Sequence, residues 1–501
     1  MSSATGRREL LQADRPPLAR GPVLAATVAA VIALSITSAR YGYGRDELYF
    51  AMLPAQWGYV DQPPLTPLIA QFFSTVVADA VWAVRIPATA IMASSIVVVT
   101  EIARELGGGR RAQSLCAWAY GSSLLPLLFG HVLLTATLDL LVWPAVILFT
   151  MRAVLRNRGQ WWMAVGLVVG LSMYNKLLVA MLLVSLAAAM LAVGPRRVLW
   201  SRWVVAGVAV ALVVGSPNLI YQMTHDWPQL TMGRALAANN AAEVRVAMWP
   251  FLLVIFGPPL VPVWCAGSVA LLRRPRWRSV RYVAVAFPIL LLLVFLAGSQ
   301  FYYPFGLMTA LFAAGCVVVA DWSAGSRARH VVVVAAVVLN AGASALIALP
   351  VVPVDEVGST PIPAMNQLVQ DQVGWPTYVR QVADVAAALP PAESAGTVVV
   401  ASNYGEAGAI DRFGPAMGIT QVFSPHNELY FVARPPATAR TAIVVGASIA
   451  FLRPLFASCE IAGVLDNRVA VDNEEQGRSI SICRAPVGGW QAVWPAMQHY
   501  D

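Results

Sequence analysis

The sequence has 501 residues, of which 58% are hydrophobic and only 12% are charged, with a mean hydropathy of +0.65. A soluble domain carries about 25% charged residues, so this composition excludes a soluble enzyme and predicts a protein that crosses a membrane several times. The formal net charge of +8 comes largely from arginines in loops between apolar runs, so we expect no nucleic-acid partner.

A helix needs about 20 apolar residues to cross a bilayer. Eleven apolar runs approach this length, which predicts an α-helical polytopic membrane protein with about eleven transmembrane helices. Their approximate ranges are 21–39, 82–106, 111–129, 133–153, 160–174, 177–194, 203–220, 247–272, 281–298, 303–321 and 330–351. No convincing cleavage site follows the first run, so we interpret it as an uncleaved span.

Arginine is concentrated before the first predicted span and in every second connection after it. Because basic loops stay on the cytoplasmic side, this pattern predicts a cytoplasmic N-terminus. The alternate connections are therefore expected to face outward, and they hold a group of acidic and other polar residues together with the only lysine of the chain: Asp46, Glu47, Asp61, His131, Lys176, His225, Asp226, Glu243 and Gln300. An odd number of spans places residues 352–501 on the outer side as well.

Composition changes near residue 351, which predicts two domains, a membrane domain over 1–351 and an extracytoplasmic α/β domain over 352–501. In the second domain, two short apolar runs predict buried strands, and one segment has the apolar spacing of a helix. The strands are expected at 396–404 and 441–448, and the helix at 375–389.

The five cysteines fall into two groups. Cys116, Cys265 and Cys316 lie in apolar runs and are expected to be small packing residues. Cys459 and Cys483 flank a predicted strand-and-turn unit in the polar C-terminal part. An oxidising compartment favours a disulfide between them, and two unpaired thiols are the alternative.

The first outer connection carries the strongest chemical signal, in the stretch "GRDELYFAMLPAQWGYVDQPPL" (44–65). Asp46 and Glu47 are adjacent, so on a helix they point about 100° apart, and one can face a cavity while the other pairs or caps. The alternative is that both acids cap a helix at the membrane surface, beside an interfacial belt of aromatic residues.

This stretch resembles the first outer loop of the GT-C fold glycosyltransferases that use lipid-linked sugars, a superfamily that includes protein O-mannosyltransferases and bacterial aminoarabinose transferases of lipid A. The resemblance is close from Gly44 to Leu68. It implies that Asp46 is the catalytic acid, with Glu47 beside it. It also matches Asp61 to the acid before the paired prolines.

Two further segments fit the same resemblance. "LLTATLDLLVWPAVI" (133–147) puts Asp139 in the acidic position of a site-lining segment, although a buried interhelical hydrogen bond would also explain a lone aspartate there. "GLVVGLSMYNKLLVAMLL" (166–183) resembles the segment whose lysine contacts the phosphate of the donor, here Lys176. The alternative for Lys176 is snorkelling to the interface, a purpose that arginine serves elsewhere in this chain.

"GSQFYYPFGLMTALF" (298–312) resembles an aromatic segment at the start of a late span. Tyr302 and Tyr303 could contact the donor or the acceptor there, and an interfacial belt accounts for them equally well.

The resemblance implies transfer of a sugar from a polyprenyl-phosphate donor to an acceptor hydroxyl at the outer face of the cell membrane. Asp46 would be the general base, the anomeric centre would invert, and Lys176, helped by Arg45, would stabilise the departing phosphate. The acceptor is left open between an envelope glycan, a glycolipid and a protein. No cofactor is firmly expected, and a divalent metal is left open.

Two other classes of function remain as alternatives. A flippase or transporter of lipid-linked sugars would also bind an anionic lipid in a polar cavity. A non-catalytic assembly protein would use the C-terminal part to bind envelope polymers. Transfer of a labelled sugar discriminates the enzyme from both.

Overall fold

A computed structural model describes residues 15–500, and α-helices dominate the chain as far as Ala348. The helices of this part are α1 (Arg20–Thr37), α2 (Arg45–Met52), α3 (Leu65–Phe72), α4 (Val81–Glu105), α5 (Arg110–Gly121), α6 (Leu124–His131), α7 (Thr135–Leu155), α8 (Trp161–Ser172), α9 (Val179–Val193), α10 (Arg202–Thr224), α11 (Pro228–Val254), α12 (Val261–Arg273), α13 (Tyr282–Ala297), α14 (Phe305–Ser323) and α15 (Arg327–Ala348). Short 3-10 turns precede α10 at Arg196–Trp200 and α12 at Pro258–Leu260, and a π-helical turn, Phe73–Val77, extends α3.

Within the described residues, six helices are long and apolar enough to cross a membrane: α1, α4, α7, α10, α14 and α15. The consecutive helices α11 and α12 are bent by 73° and provide a seventh crossing if they form one span. The helical multi-pass architecture is confirmed, but the expected number of about eleven spans exceeds this count. The remaining predicted spans are shorter apolar helices, such as α8, α9 and α13, or are broken.

Two predicted spans are broken at identifiable residues. The run 111–129 divides at Ser122 and Ser123 into α5 and α6. The run 247–272 divides at Gly257, whose φ of +104° favours glycine, and α11 begins upstream of the predicted start. A Cβ atom on Gly257 would lie 1.8 Å from the side-chain oxygen of Asn340. The two prolines that follow Gly257 cannot donate the backbone N–H groups that would continue α11, so the break has a local cause that apolar length alone did not reveal.

The arginine-rich ends of several helices meet at one end of the bundle. Glu105, at the end of α4, accepts a hydrogen bond of 2.9 Å from Arg152 near the end of α7, and it also pairs with Arg156. Trp277 donates its indole N–H to the carbonyl oxygen of Leu106 over 3.0 Å. These contacts bring together, at one end of the bundle, the arginine-rich connections that the sequence assigned to one side of the membrane. The assignment of that side to the cytoplasm stays a prediction.

The C-terminal part contains a five-stranded mixed sheet. Its strands are β1 (Thr397–Ala401), β2 (Val422–Phe423), β3 (Thr441–Val445), β4 (Phe456–Val464) and β5 (Ser479–Pro486). Its helices are α16 (Val354–Val357), α17 (Ile362–Met365), α18 (Gln367–Gln370), α19 (Trp375–Ala387), α20 (Pro391–Ser394), α21 (Tyr404–Phe413), α22 (Leu429–Val432), α23 (Ile449–Leu452) and α24 (Trp490–Met497). The two predicted strands and the predicted helix are confirmed as β1, β3 and α19.

The sheet has the spatial order β2-β1-β3-β5-β4, with β1 parallel to both of its neighbours and β5 antiparallel to β3 and β4. Cys459 on β4 lies opposite Cys483 on β5, and the two form a disulfide. Of the two alternatives for these cysteines, the bonded one is therefore confirmed. The bond ties the edge strand to the interior of the sheet.

The sheet domain packs directly on the connection that follows α1, which contains α2. One buried apolar cluster joins Leu48 and Phe50 of α2 to Val379 of α19 and Ile410 of α21. At the contact between α2 and α21, a Cβ on Gly408 would lie 2.8 Å from the backbone of Leu48, so only glycine allows this approach. The two parts thus share a core around α2, and the domain boundary at residue 351 stays a prediction.

Candidate active site

The sequence order of α2 places three charged side chains in its first turn. The helix begins at Arg45, after Gly44 in an extended conformation. The Glu47 carboxylate turns back and accepts the Gly44 N–H at 2.8 Å. Acidic side chains are favourable near a helix N-terminus, because its peptide dipoles leave partial positive charge there. Glu47 therefore caps the helix, one of the roles that the sequence left open.

Glu47 is also half of a fully buried ion pair. Its side chain is 0% exposed, and Arg85 of α4, which is 1% exposed, reaches its two oxygens at 3.0 Å from Nε and from Nη2. The N–H of Leu133 donates to the same carboxylate at 3.0 Å. Arg85 also donates to Gln372 over 3.0 Å. The network holds α2 against α4, and it occupies both oxygens of the Glu47 carboxylate.

Asp46 points away from this network and lines a cavity of about 290 Å³. Its Oδ1 accepts a hydrogen bond of 3.0 Å from the Tyr404 hydroxyl. Burial raises the pKa of Asp46, while the Tyr404 hydrogen bond and the charges of Arg45 and Lys176 act against this rise. The side chain is thus a partly buried carboxylate with one protein donor, at the wall of a cavity.

The cavity wall contains a polar cluster of Arg45, Asp46, Asp371 and Tyr404, in which Tyr404 contacts both Arg45 and Asp46. It also contains apolar side chains that include Leu125, Leu128, Phe129, Phe251 and Phe301, with Phe251 packed against Phe301. Such a cavity suits an amphiphile with a charged head and an apolar chain, because each part of the ligand can meet side chains of matching polarity.

A second, smaller cavity of about 20 Å³ adjoins the first, and Phe129, Ala136 and Tyr302 line both. Asp139 and Tyr303 also line the second cavity. Tyr302 packs edge-on against Phe129, with 5.3 Å between ring centroids. Both predicted tyrosines and Asp139 therefore lie beside the Asp46 cavity.

Lys176 approaches the same region from the connection between α8 and α9. Its Nζ lies 5.7 Å from the ring centroid of Tyr303, within the range of a cation–π contact. Asn175 anchors the connection, because it donates to the Thr135 carbonyl oxygen over 2.8 Å and accepts from Thr66 over 2.7 Å. Within residues 15–500, no carboxylate lies within 4.0 Å of the Lys176 ammonium. Its ammonium therefore makes no close ion pair among the described residues, although its charge still lowers the pKa of Asp46.

Arg45 lines the large cavity but is held by the C-terminal part. It pairs with Glu474 and, over 3.3 Å, with Glu475. Its guanidinium carbon lies 5.1 Å from the ring centroid of Tyr404. Because two carboxylates pair with Arg45, its positive charge is largely compensated. Lys176 has no such ion pair among the described residues.

Asp61 lies apart from the cavity wall, in the connection between α2 and α3. Burial raises its pKa to about 7, and the nearby carboxylates of Glu428 and Asp46 act in the same direction. Glu428 itself accepts the N–H of Val60 over 2.8 Å. The structure therefore brings Asp61 near Asp46 without exposing it in the same cavity.

Two residues of the polar cluster, Asp371 and Tyr404, were missed by the sequence analysis. Burial raises the pKa of Asp371 to about 7, Arg45 opposes the shift, and Asp46 adds to it. Tyr404 begins the segment "YGEAGAIDRF", whose two glycines were a usable signal because they lie in α21 where it approaches α2, whereas Asp371 carried no local signal. Both come from the C-terminal part, so the site is built by both parts of the chain.

A metal site was left open by the sequence. Between residues 15 and 500, no group of three or more His, Cys, Asp or Glu side chains is arranged to hold a metal ion.

Comparisons with known proteins add to this geometry. A model of the family described as dolichyl-phosphate-mannose-protein mannosyltransferase matches residues 61–221. The fold is similar to ArnT from Cupriavidus metallidurans bound to undecaprenyl phosphate, with a TM-score of 0.61 at 16% identity over 92% of this chain and 97% of that one. The apo state of ArnT gives a TM-score of 0.60 at 15% identity, over 93% of this chain and 98% of the other.

The protein has the GT-C fold. The resemblance inferred from the first outer connection is thereby confirmed, together with a multi-pass helical membrane part that carries a small C-terminal sheet domain. The comparisons support glycosyltransferase activity. No curated protein gives a significant match to the sequence.

Proposed function

We propose that this GT-C protein transfers a sugar from a polyprenyl-phosphate donor to an acceptor hydroxyl, with Asp46 as the general base. The observation that carries the proposal is the position of Asp46 in a polar cluster on the wall of a cavity that apolar and aromatic side chains also line. A lipid-linked sugar combines the same two kinds of surface. ArnT from Cupriavidus metallidurans has been crystallised bound to undecaprenyl phosphate, which supports a carrier of this class for the present chain.

The reaction follows from the arrangement of charges. The Asp46 carboxylate would take the proton of the acceptor hydroxyl as the oxygen attacks the anomeric carbon. The bond from that carbon to the phosphate oxygen breaks, its electron pair stays on the phosphate, and the anomeric centre inverts. Lys176 would stabilise the charge that develops on the phosphate, since no carboxylate of the described residues compensates its ammonium.

The other predicted residues have supporting roles in this proposal. Tyr302, Tyr303 and Asp139 would form the wall beside the sugar, because they line the adjoining cavity. Glu47 would position α2 through Arg85, and Arg45 would join the site to Glu474 and Glu475. The reacting face would be extracytoplasmic, as the distribution of arginine predicts. The acceptor would be an envelope glycan, a glycolipid or a protein.

The test is transfer by purified protein in liposomes that contain labelled polyprenyl-phosphate sugars. We expect Asp46→Asn to reduce turnover about 10²–10⁴-fold, the usual contribution of a general base, without weakening donor binding. Lys176→Ala should also lower turnover, because charge developing on the phosphate loses its stabilisation, and it should raise KM for the donor as well. Lys176→Arg should restore part of both losses. Asp79→Asn, which removes an exposed carboxylate paired with Arg412, is the matched control. If Asp46→Asn transfers the sugar as fast as the wild type, Asp46 is not the general base.

One observation favours a second candidate, a transporter of lipid-linked sugars. The 73° bend between α11 and α12 is a broken helix of the kind that transporters use. Movement of the labelled lipid in both directions across the liposome membrane, without a glycosylated product, would support that candidate instead.

A further inference from the structure

A groove of about 640 Å³ lies between α5, α14 and α15, away from the Asp46 cavity. α14 links the two regions, since Phe305 at its start lines the small cavity beside Asp139 and Ala320 near its end lines the groove. Fifteen helical residues separate these positions, which corresponds to about 22 Å along the helix axis. The groove therefore lies at the opposite end of the bundle from the proposed reaction.

The rim of the groove is basic. Arg110 and Arg111, at the start of α5, line it together with His330 near the start of α15. Both arginines are exposed, and within residues 15–500 no carboxylate lies within 4.0 Å of either guanidinium. Neighbouring basic residues at this end differ, because Arg104 and Arg152 pair with acids of α4. The rim thus has positive charge that the described part of the protein does not neutralise.

The walls of the groove are apolar and open. Trp118 of α5 is 42% exposed, and Val334 and Val338 of α15 are 47% and 63% exposed. The buried residues of α15 are Asn340, Ser344 and Ala348, which all lie in its second half. The first half of α15 is thus largely exposed, and an apolar space remains between its valines and Trp118 of α5.

We propose that this groove binds an acidic glycerophospholipid. The phosphate would lie against Arg110 and Arg111, and an acyl chain would lie along Trp118 and the valines of α15. Basic pockets between transmembrane helices recognise anionic lipid head groups in this way. The positive end of the α5 dipole adds to the attraction, because α5 begins at Arg110 with no acidic residue in its first turn.

The experiment is native mass spectrometry of the full chain, released from detergent that contains phosphatidylglycerol, phosphatidylcholine or undecaprenyl phosphate. Arg110→Gln/Arg111→Gln removes the rim charge, and Val334→Trp fills the groove without changing charge. The matched control is Arg196→Gln/Arg197→Gln, another exposed adjacent pair, which does not line the groove.

We expect the protein and the control to retain phosphatidylglycerol in preference to phosphatidylcholine. Arg110→Gln/Arg111→Gln should weaken this binding about thirtyfold, the loss expected for two arginines near an anionic surface. Val334→Trp should weaken it as well. Equal weakening by both arginine pairs would show a general surface attraction and overturn the proposal. Equal retention of phosphatidylcholine would also overturn it. Retention of undecaprenyl phosphate that survives both groove variants reports on the Asp46 cavity, whereas undecaprenyl phosphate that outcompetes phosphatidylglycerol and is lost with Arg110→Gln/Arg111→Gln would overturn the proposal.

Discussion

The hydroxyl of Tyr404 donates a hydrogen bond of 3.0 Å to Oδ1 of Asp46, across 358 positions of the chain. Tyr404 is the first residue of α21 in the C-terminal part, and Asp46 lies in the first turn of α2. The guanidinium of Arg45 lies over the same tyrosine ring. The C-terminal part therefore acts directly on the proposed base.

Tyr404→Phe should move the pH dependence of transfer. The substitution removes a hydrogen bond that lowers the pKa of Asp46, while burial, which raises it, remains. A hydrogen bond to a charged group is worth about 1.5–3 kcal/mol, so the pKa should rise by about one to two units. The acidic limb of the kcat profile should shift upward by the same amount, since Asp46 must be ionised to act as a base. Tyr430→Phe is the control, and an unmoved limb would show that Tyr404 does not act on the titrating group.

Glu47→Gln should destabilise the folded protein. The change leaves Arg85 buried with an uncompensated charge, which typically costs about 3–5 kcal/mol. Asp79→Asn breaks an ion pair in which the aspartate side chain is 70% exposed, and there we expect about 1 kcal/mol or less. Chemical unfolding of both variants in one detergent measures the difference. Equal free energies of unfolding would contradict a structural role for the Glu47–Arg85 pair.

Asp371 should make stability depend on pH. Its folded pKa is raised to about 7, chiefly by burial, whereas an unfolded aspartate titrates near 3.9. Between about pH 4 and pH 7 the folded state holds a proton that the unfolded state has lost, so stability falls as pH rises through that window. Asp371→Asn should therefore gain thermal stability relative to wild type at pH 7.5 and show little change at pH 5. In the control, Asp384→Asn, which changes an exposed side chain, the difference in thermal stability from wild type should be the same at both pH values. The same result for Asp371→Asn would refute the raised pKa of Asp371.

Labelling of thiols should report the side of the membrane that carries the sheet domain. Cys459 and Cys483 are bonded, Cys116 and Cys316 are buried, and Cys265 is half-buried in α12. In intact cells, a membrane-impermeant maleimide should react only after treatment with a reductant. Cys459→Ser/Cys483→Ser should abolish that labelling, and it should also lower stability by about 3 kcal/mol. Labelling that requires permeabilised cells would place the sheet domain in the cytoplasm.

Local pattern was sufficient for much of the architecture. The strands β1 and β3 are continuous apolar runs, and α19 keeps helical spacing, so each was predicted within a few residues. The break at Gly257 was not predicted, because the span was assigned from apolar length alone, although Gly257-Pro258-Pro259 is a local helix-breaking signal. Asp371 was missed for a different reason, since only the docking of the C-terminal part brings it to Asp46.

The sequence by itself determined that the chain is a multi-pass helical membrane protein with a C-terminal sheet domain, because apolar length and strand pattern are local properties. It also singled out the first outer connection. Only the tertiary structure decided which of two adjacent acids faces the cavity. Arg85, 38 residues further along the chain, and the Leu133 amide bind Glu47 at the buried side of α2, which leaves Asp46 at the cavity wall. Those partners meet α2 only when the helices pack, so the choice depends on contacts that no local pattern contains.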